Sequence, residues 1–276
     1  MLRRTFLGAG AAALLRAGNE LIVCGWDEVF ILDAAADAPR KLWSWKAPER
    51  FGSRFRTTDE CKPVDGGSRI LITSSSDGVA LVERGTGNIV FWAVVVNAHS
   101  AEMLPNGRIV VAASHRPGSP GDRLILFDAA KPEVEISHTE LYSGHGVVWD
   151  RQRRLLWALG GVHLRAYTPS LSMAAEYALP DESGHDLQAV PGSPDLSVTT
   201  HHGCWLFDRE KRAFRPHPQL AREPDVKCIS VNPTTGQLVY TKADAGNWWT
   251  ETLRFLNPPK TMRLPGEPLY KVRWNH

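Results

Sequence analysis

The chain has 276 residues, of which 43% are hydrophobic and 22% are charged, enough apolar material for one sizeable core. Its formal net charge of +2, without a stripe of basic and aromatic residues, argues against a nucleic-acid surface. The ten tryptophans, 23 glycines and 19 prolines are typical of many short strands joined by tight turns, because aromatic side chains favour pleated surfaces and Gly and Pro favour turns. We therefore expect an all-β protein.

The first 18 residues have the layout of an export signal. Arg3 and Arg4 come shortly before Phe6 and Leu7, and a short apolar run follows. This order resembles the twin-arginine export signal, and the run is too short to span a bilayer. We predict an export signal over residues 1–18, one domain over residues 19–276 and a periplasmic or extracellular location. A frayed basic N-terminus is the alternative.

The rest of the chain is built from repeats. Residues 20–33 and 41–46 contain three strands of a repeat that lacks its first strand, and residues 269–274 have the character of that missing strand. Five fuller repeats lie between them, each with a first strand, a polar turn and further strands. They begin at Asp59, His99, His145, His185 and Val226.

Four-stranded repeats of about 40 residues predict a β-propeller. Five full repeats and one composite repeat give six blades. Seven blades are the alternative, because residues 47–58 and 219–225 are ambiguous. Joining the chain ends in one blade closes the ring and removes exposed sheet edges. A β-sandwich is the other all-β candidate, but it does not explain why the repeats stay in register.

Three histidines, His99, His145 and His185, start successive repeats. Circular stacking brings equivalent positions together, so we expect the three imidazoles at one mouth of the central channel. The other repeats carry acid, amine and phenol groups at that position: Asp59 or Glu60, Lys227, and Tyr270 or Lys271. Such a set around a concave pit suits acid–base chemistry or ligand binding.

Two chemical interpretations of this ring stay open. Three imidazoles suit a divalent metal such as Zn, Mn, Fe, Ni or Cu and leave positions for substrate. With carboxylates such as Asp59, Glu60 or Asp186 nearby, the metals we consider are Mn, Zn and Ca. Without a metal, one histidine acts as general base while other groups bind the substrate or donate the proton. The candidate catalytic residues are His99, His145, His185, Lys62, Lys227 and Tyr270. The candidate substrate-binding residues are Arg56, Asp59, Glu60, Asp186, Lys271 and Trp248. A purely structural role, holding the blades together, is the alternative to both.

Trp248 and Trp249 lie in an insertion, KADAGNWWTE. If exposed, they would form a platform for a sugar ring, and packing in the core is the alternative. The chain has no Gly-rich phosphate loop, so we expect no nucleotide cofactor. The four cysteines have no CxxC spacing and lie in strand-like runs, which favours buried free thiols.

The runs NAHSAEMLPNGRIVVAAS, GHGVVWDRQRRLLWALGG and GHDLQAVPG, and the ending SVNPTTGQ…KVRW, resemble an uncharacterised family of exported bacterial β-propellers. That resemblance implies the fold, export and a carbohydrate ligand. The chain is more loosely similar to propeller polysaccharide lyases, notably the oligogalacturonate lyases. Those enzymes hold a divalent metal with histidines and a glutamine, which implies the ligands His99, His145, His185 and Gln188, although their propeller has seven blades.

We therefore predict an exported carbohydrate-active protein. The favoured activity is a lyase that acts by β-elimination on an acidic or oxidised sugar, with metal assistance as one version. A non-catalytic propeller that binds a glycan or a protein, and a glycoside hydrolase with the same pocket, are the alternatives. We expect no nucleic-acid partner and no membrane span.

Overall fold

A computed structural model describes residues 18–276. The export signal predicted over residues 1–18 lies outside this range apart from Gly18. The described chain forms six antiparallel sheets of four strands each, together with one short helix, α1 (Glu49–Gly52), and one 3-10 turn (Pro105–Gly107). No helix in the described range is long and apolar enough to cross a bilayer.

The strands follow one another blade by blade. The composite blade contains β1 (Glu20–Gly25), β2 (Glu28–Asp33), β3 (Lys41–Lys46) and the last strand, β24 (Lys271–Trp274). The second blade contains β4 (Thr58–Val64), β5 (Arg69–Ser74), β6 (Gly78–Glu83) and β7 (Ile89–Val94). The third contains β8 (Ala98–Leu104), β9 (Arg108–Ala113), β10 (Arg123–Asp128) and β11 (Glu135–Glu140).

The remaining three blades have the same order. The fourth contains β12 (Gly146–Asp150), β13 (Leu155–Leu159), β14 (His163–Tyr167) and β15 (Met173–Ala178). The fifth contains β16 (Asp186–Ala189), β17 (Asp195–Thr199), β18 (Cys204–Asp208) and β19 (Ala213–Pro216). The sixth contains β20 (Val226–Val231), β21 (Leu238–Lys242), β22 (Thr252–Leu256) and β23 (Lys260–Arg263).

The two ends of the chain close the ring. β24 pairs antiparallel with β1, with Leu21 opposite Trp274 and Cys24 opposite Lys271. This confirms the predicted six-bladed propeller with a composite blade. The seven-blade and sandwich alternatives are wrong, because residues 47–58 and 219–225 supply α1 and connecting segments instead of another sheet.

The core lies between neighbouring blades. In β5 every residue after Arg69 is buried, because the sheet is covered on both faces, and this explains its continuous apolar run. The outermost strands β11 and β15 have one face in solvent, and exposure alternates along them. The cysteines Cys24, Cys61, Cys204 and Cys228 are buried free thiols, and burial raises the pKa of Cys228 to about 11.

The axis of the propeller is closed by four charged side chains from the first strands, which we call the axial network: Glu60, Asp186, Lys271 and Arg273. The Arg273 guanidinium bonds both carboxylates, at 2.8 and 3.0 Å to Glu60 and at 2.6 and 3.0 Å to Asp186. Lys271 Nζ lies 3.3 Å from Asp186 Oδ1. All four residues are at most 2% exposed. Two cations balance two carboxylates, so the buried charge is compensated.

Candidate functional site

A pocket of about 340 Å³ opens above the axial network, at the mouth where the first strands begin. Its wall carries one residue from the start of the first strand of every blade: Asp59, His99, His145, His185, Lys227 and Tyr270. Ser75, Asn97 and Trp248 complete it. The structure thus brings together seven candidates that are far apart in the sequence, these six and Trp248.

The three imidazoles are neighbours. The ring centroids of His99 and His145 are 4.4 Å apart, and those of His145 and His185 are 5.8 Å apart. His99 Nδ1 lies 3.0 Å from the carbonyl oxygen of Asn97, and His145 Nδ1 lies 2.8 Å from that of Ser143. A carbonyl oxygen only accepts, so Nδ1 carries the proton in both rings. Their Nε2 atoms are therefore hydrogen-bond acceptors.

A backbone feature repeated in four blades positions these side chains. Asn97, Ser143, Ser183 and Asp225 each stand two residues before a wall residue, and all four have positive φ angles, between 49° and 59°. Short polar residues tolerate this left-handed conformation better than bulky ones. The turn directs the following side chain into the pocket, and in two blades it also presents a carbonyl oxygen to the imidazole.

All three histidines are neutral near pH 7. Burial lowers the pKa of His99 to about 4. Burial also lowers the pKa values of His145 and His185 well below 6.5, and the neighbouring Lys227 ammonium adds to the effect on His185. An imidazole with so low a pKa binds a proton weakly. These rings are suited to accepting hydrogen bonds from a ligand rather than to carrying positive charge.

Lys227 supplies a cation on the wall. Its Nζ lies 3.2 Å from His185 Nε2 and donates to it, and the Asp225 carboxylate is 3.7 Å away. Burial lowers the pKa of Lys227. A half-compensated ammonium in a low-dielectric pocket attracts an anion, because Coulomb interactions are stronger there than in water.

Two further wall residues can take part in proton transfer. Asp59 can exchange a proton near neutral pH, and Tyr270 can donate one. Asp59 Oδ2 accepts a hydrogen bond from the Ser75 backbone N–H, and burial raises the pKa of this carboxyl to about 7. Burial also raises the pKa of Tyr270 well above 10, so its hydroxyl stays protonated. A carboxyl with a pKa near the working pH is an effective general base.

The residues at the pocket do not fit the predicted metal. Among residues 18–276, no group of three or more His, Cys, Asp or Glu side chains is placed to hold a metal ion. Lys227 donates to His185 Nε2, and Lys271 Nζ donates to the His145 carbonyl oxygen from below at 3.1 Å. Two ammonium groups this close oppose a divalent cation. Gln188, the fourth predicted ligand, lies on β16 and is not part of the wall.

Several candidate residues lie away from the pocket wall, which corrects their predicted positions. Glu60, Asp186 and Lys271 belong to the axial network, where their charges are already paired. Lys62 lies deeper in the channel, with Nζ 2.8 Å from Glu102 Oε2, and also donates to the Val147 carbonyl. Arg56 is exposed on the segment before β4.

A β-bulge explains why Asp59 and Glu60 have different roles. The register of β4 against β5 shifts between Thr58 and Glu60, so two consecutive residues leave the strict alternation of a strand. Asp59 lines the pocket and Glu60 faces the axis. The repeats align this position only to within one residue, so the sequence could not separate the two.

Sequence reasoning missed Ser75, Asn97 and Trp26. Ser75 follows β5 and Asn97 precedes β8, so both lie in connecting segments on the pocket side. Trp26, in the turn between β1 and β2, stacks on Trp248 at the pocket rim. Only the turns before the histidines had a signal in the sequence: His99 follows Asn-Ala, and His145 and His185 each follow Ser-Gly.

Together these features define a six-bladed β-propeller with a closed axis and a polar pocket at one end. The chain belongs to a family of unknown function (DUF6528), which matches residues 26–276. This match confirms that the chain belongs to an uncharacterised family, as inferred from the motifs.

Comparison with other proteins supports the fold alone. A protein of unknown function from Bacteroides caccae aligns with a TM-score of 0.63 and 12% identity, over 92% of this chain and 97% of that chain. A chain of the nidogen/laminin complex aligns with a TM-score of 0.65 and 12% identity, over the same shares. A search of curated proteins finds no match. At this identity, likeness of fold does not carry an activity.

Proposed function

We propose that this protein is a carbohydrate lyase that cleaves an acidic sugar by β-elimination with its own side chains. The observation that carries the proposal is the placement of Asp59, Lys227 and Tyr270 around one pocket of about 340 Å³. β-elimination beside a carboxylate needs a base, a cation for the carboxylate and a proton donor for the leaving oxygen. The pocket holds one of each, and its volume suits a small ligand such as a sugar ring.

The reaction follows from these roles. The Lys227 ammonium pairs with the carboxylate on C5 of a uronic acid ring. The Asp59 carboxylate removes the proton on C5. The electron pair of the broken C5–H bond forms the C4–C5 double bond, and the bond from C4 to the glycosidic oxygen breaks. The Tyr270 hydroxyl gives its proton to that oxygen. The products are an unsaturated uronic acid and a shortened sugar, and Asp59 returns the proton through water to Tyr270.

The imidazoles orient the ring in this mechanism. His99 and His145 present Nε2 lone pairs because their Nδ1–H groups bond backbone carbonyls. They can accept hydrogen bonds from sugar hydroxyls. Their low pKa values keep them neutral, so they do not compete with Lys227 for the carboxylate. This arrangement fixes the ring with the C5 proton toward Asp59.

A glycoside hydrolase is less well supported. Such enzymes use two carboxyl groups that flank the scissile bond. Within residues 18–276, Asp59 is the one carboxylate among the wall residues, and the nearby Glu60 and Asp186 carboxylates are held by Arg273. The wall thus supplies one of the two carboxyl groups that a glycoside hydrolase needs.

Turnover of a panel of uronic-acid oligosaccharides tests the proposal, with absorbance of the unsaturated product as the readout. Wild-type protein should produce it, and Asp59→Asn should reduce the rate by at least about a hundredfold. The matched control Asp37→Asn removes an exposed carboxylate in the β2–β3 loop and should leave the rate unchanged. A panel without any unsaturated product, or an active Asp59→Asn variant with the native melting temperature, rejects the assignment.

Non-catalytic glycan binding is the second candidate, and the exposed Trp248 favours it. Wild-type protein that binds oligosaccharides but never converts them would establish this function in place of the lyase.

A further inference from the structure

Two tryptophans from opposite ends of the chain stack at the rim of the pocket; we call Trp26 and Trp248 the aromatic pair. Trp26 lies in the turn between β1 and β2, and Trp248 lies in the loop between β21 and β22. Their ring centroids are 5.2 Å apart and the ring planes differ by 9°. Trp249 meets Trp26 edge-on at 5.9 Å. The composite blade and the sixth blade are neighbours, which brings the two segments together.

The aromatic pair remains open to solvent. Trp26 is 40% exposed and Trp248 is 39% exposed. Tryptophan carries a large apolar surface, and exposing two of them side by side at a pocket mouth marks a binding surface.

The backbone of Trp26 is strained. Its φ angle is 44°, in the left-handed region that Gly, Asn and Asp adopt most easily. A bulky residue held in this region strains the backbone. Asn or Gly at this position would form the turn with less strain. Replacing Trp26 with Asn therefore removes the indole ring while the turn can still form.

The aromatic pair continues directly into the pocket. Trp248 is part of the pocket wall, and its ring meets Tyr270 edge-on with centroids 5.5 Å apart. Tyr270 is the proposed proton donor to the leaving glycosidic oxygen. The sugar ring attached to that oxygen therefore extends out of the pocket toward the aromatic pair. A pyranose ring has an apolar C–H face that stacks on indole, while its hydroxyls stay in water.

We propose that Trp26 and Trp248 bind a neutral pyranose ring linked to the acidic ring in the pocket, so that the ligand is an oligosaccharide of at least two rings. This inference rests on the proposed function for its acidic ring. It assigns Trp26 to the binding site and sets the minimum length of the ligand.

Binding to two pairs of probes tests the inference. The probes are glucuronic and galacturonic acid, and the disaccharides that link each to a neutral hexose, measured by calorimetry. The wild type should bind at least one disaccharide roughly three- to tenfold more tightly than its acid alone. Trp26→Asn and Trp248→Ala should each remove that advantage. Trp26 is not part of the pocket wall, so Trp26→Asn should also leave binding of the acid alone unchanged.

A stability measurement separates binding from a structural role. Because it relieves strain, Trp26→Asn should keep or raise the melting temperature. Arg154→Asn is the matched control: Arg154 also has a positive φ angle, of 54°, and is exposed at the opposite end of the fourth blade. It should keep or raise the melting temperature without changing binding. Equal affinity for acid and disaccharide, or a lower melting temperature of Trp26→Asn with intact binding, overturns the inference.

The outcomes also separate this inference from the lyase proposal. If the wild type shows no turnover but binds the disaccharide more tightly than the acid, and Trp26→Asn does not, the aromatic pair is a binding site and the lyase proposal is rejected. If Trp26→Asn changes neither turnover nor disaccharide affinity, the lyase proposal stands and the aromatic pair is not part of the binding site.

Discussion

Asp59 Oδ1 lies 3.7 Å from His99 Nε2, and burial reverses the order in which these two groups bind protons. Burial raises the pKa of Asp59 to about 7 and lowers the pKa of His99 to about 4. As the pH falls through neutrality, the carboxyl is protonated while the imidazole stays neutral. The carboxyl is therefore the acid–base group of the pair, and the imidazole is its polar neighbour.

The pH dependence of turnover should reflect this order. If the Asp59 carboxylate is the base, kcat/KM on a uronic-acid oligosaccharide should rise with pH and reach half of its maximum near pH 7, the pKa of Asp59. Asp37→Asn should show the same profile as the wild type. A rise centred near pH 4 would instead identify His99 as the base and contradict this assignment.

Stability should also depend on Asp59. Its pKa is about 4 in the unfolded chain and about 7 in the fold, so the native state favours the protonated form. Its contribution to the free energy of unfolding is fully present below pH 4 and is lost as the pH rises through 7. The loss is about 1.4 kcal/mol per pH unit in this window.

Urea unfolding at several pH values checks this linkage. Asp59→Asn cannot ionise, so the wild type should lose stability relative to Asp59→Asn between pH 4 and pH 7. Taking the difference between the two proteins cancels the opposite contribution of the histidines, whose lowered pKa values cost stability as the pH falls. A difference that does not change with pH would contradict the raised pKa of Asp59.

Lys227 should determine the preference for acidic sugars. Its ammonium is the cation on the pocket wall, so Lys227→Met should raise KM for a uronic-acid oligosaccharide by about ten- to a hundredfold. The methyl ester of the same oligosaccharide has no carboxylate charge, and its KM should change little. Equal losses with the acid and the ester would show that Lys227 supports the pocket but does not bind the carboxylate.

The axial network should matter for stability because it is buried. Arg273→Met leaves the Glu60 and Asp186 carboxylates without their main partner, which should cost about 3–5 kcal/mol in the free energy of unfolding. Arg263→Met, at a guanidinium exposed on β23, should change it by less than about 0.5 kcal/mol. Denaturant unfolding of both variants checks this, and similar losses in the two would contradict the role of the network.

The blades and the ring of wall residues could be predicted because they repeat. Each first strand begins after a similar turn, so His99, His145 and His185 share a position, and the same spacing locates Lys227 and Tyr270. The closing strand β24 could be predicted because an open propeller would leave a sheet edge unpaired. These features depend on the repeat pattern and on closure of the ring, and a single sequence is enough to detect both.

The sequence could not specify which polar residues reach the pocket. A bulge of one residue places Asp59 in the wall and Glu60 at the axis, and nothing in the local pattern marks it. Lys62 pairs with Glu102 from the neighbouring blade, a choice set by geometry between blades. Trp26 meets Trp248 through contacts between the ends of the chain, which no repeat pattern predicts.

Turnover in the presence of a chelator tests the central claim most directly, because the pocket is proposed to perform β-elimination with Asp59, Lys227 and Tyr270 alone. Wild-type protein dialysed against a chelator should form the unsaturated product from a uronic-acid oligosaccharide at the same rate as untreated protein. A rate that falls on chelation and returns when a divalent metal is added would contradict the account.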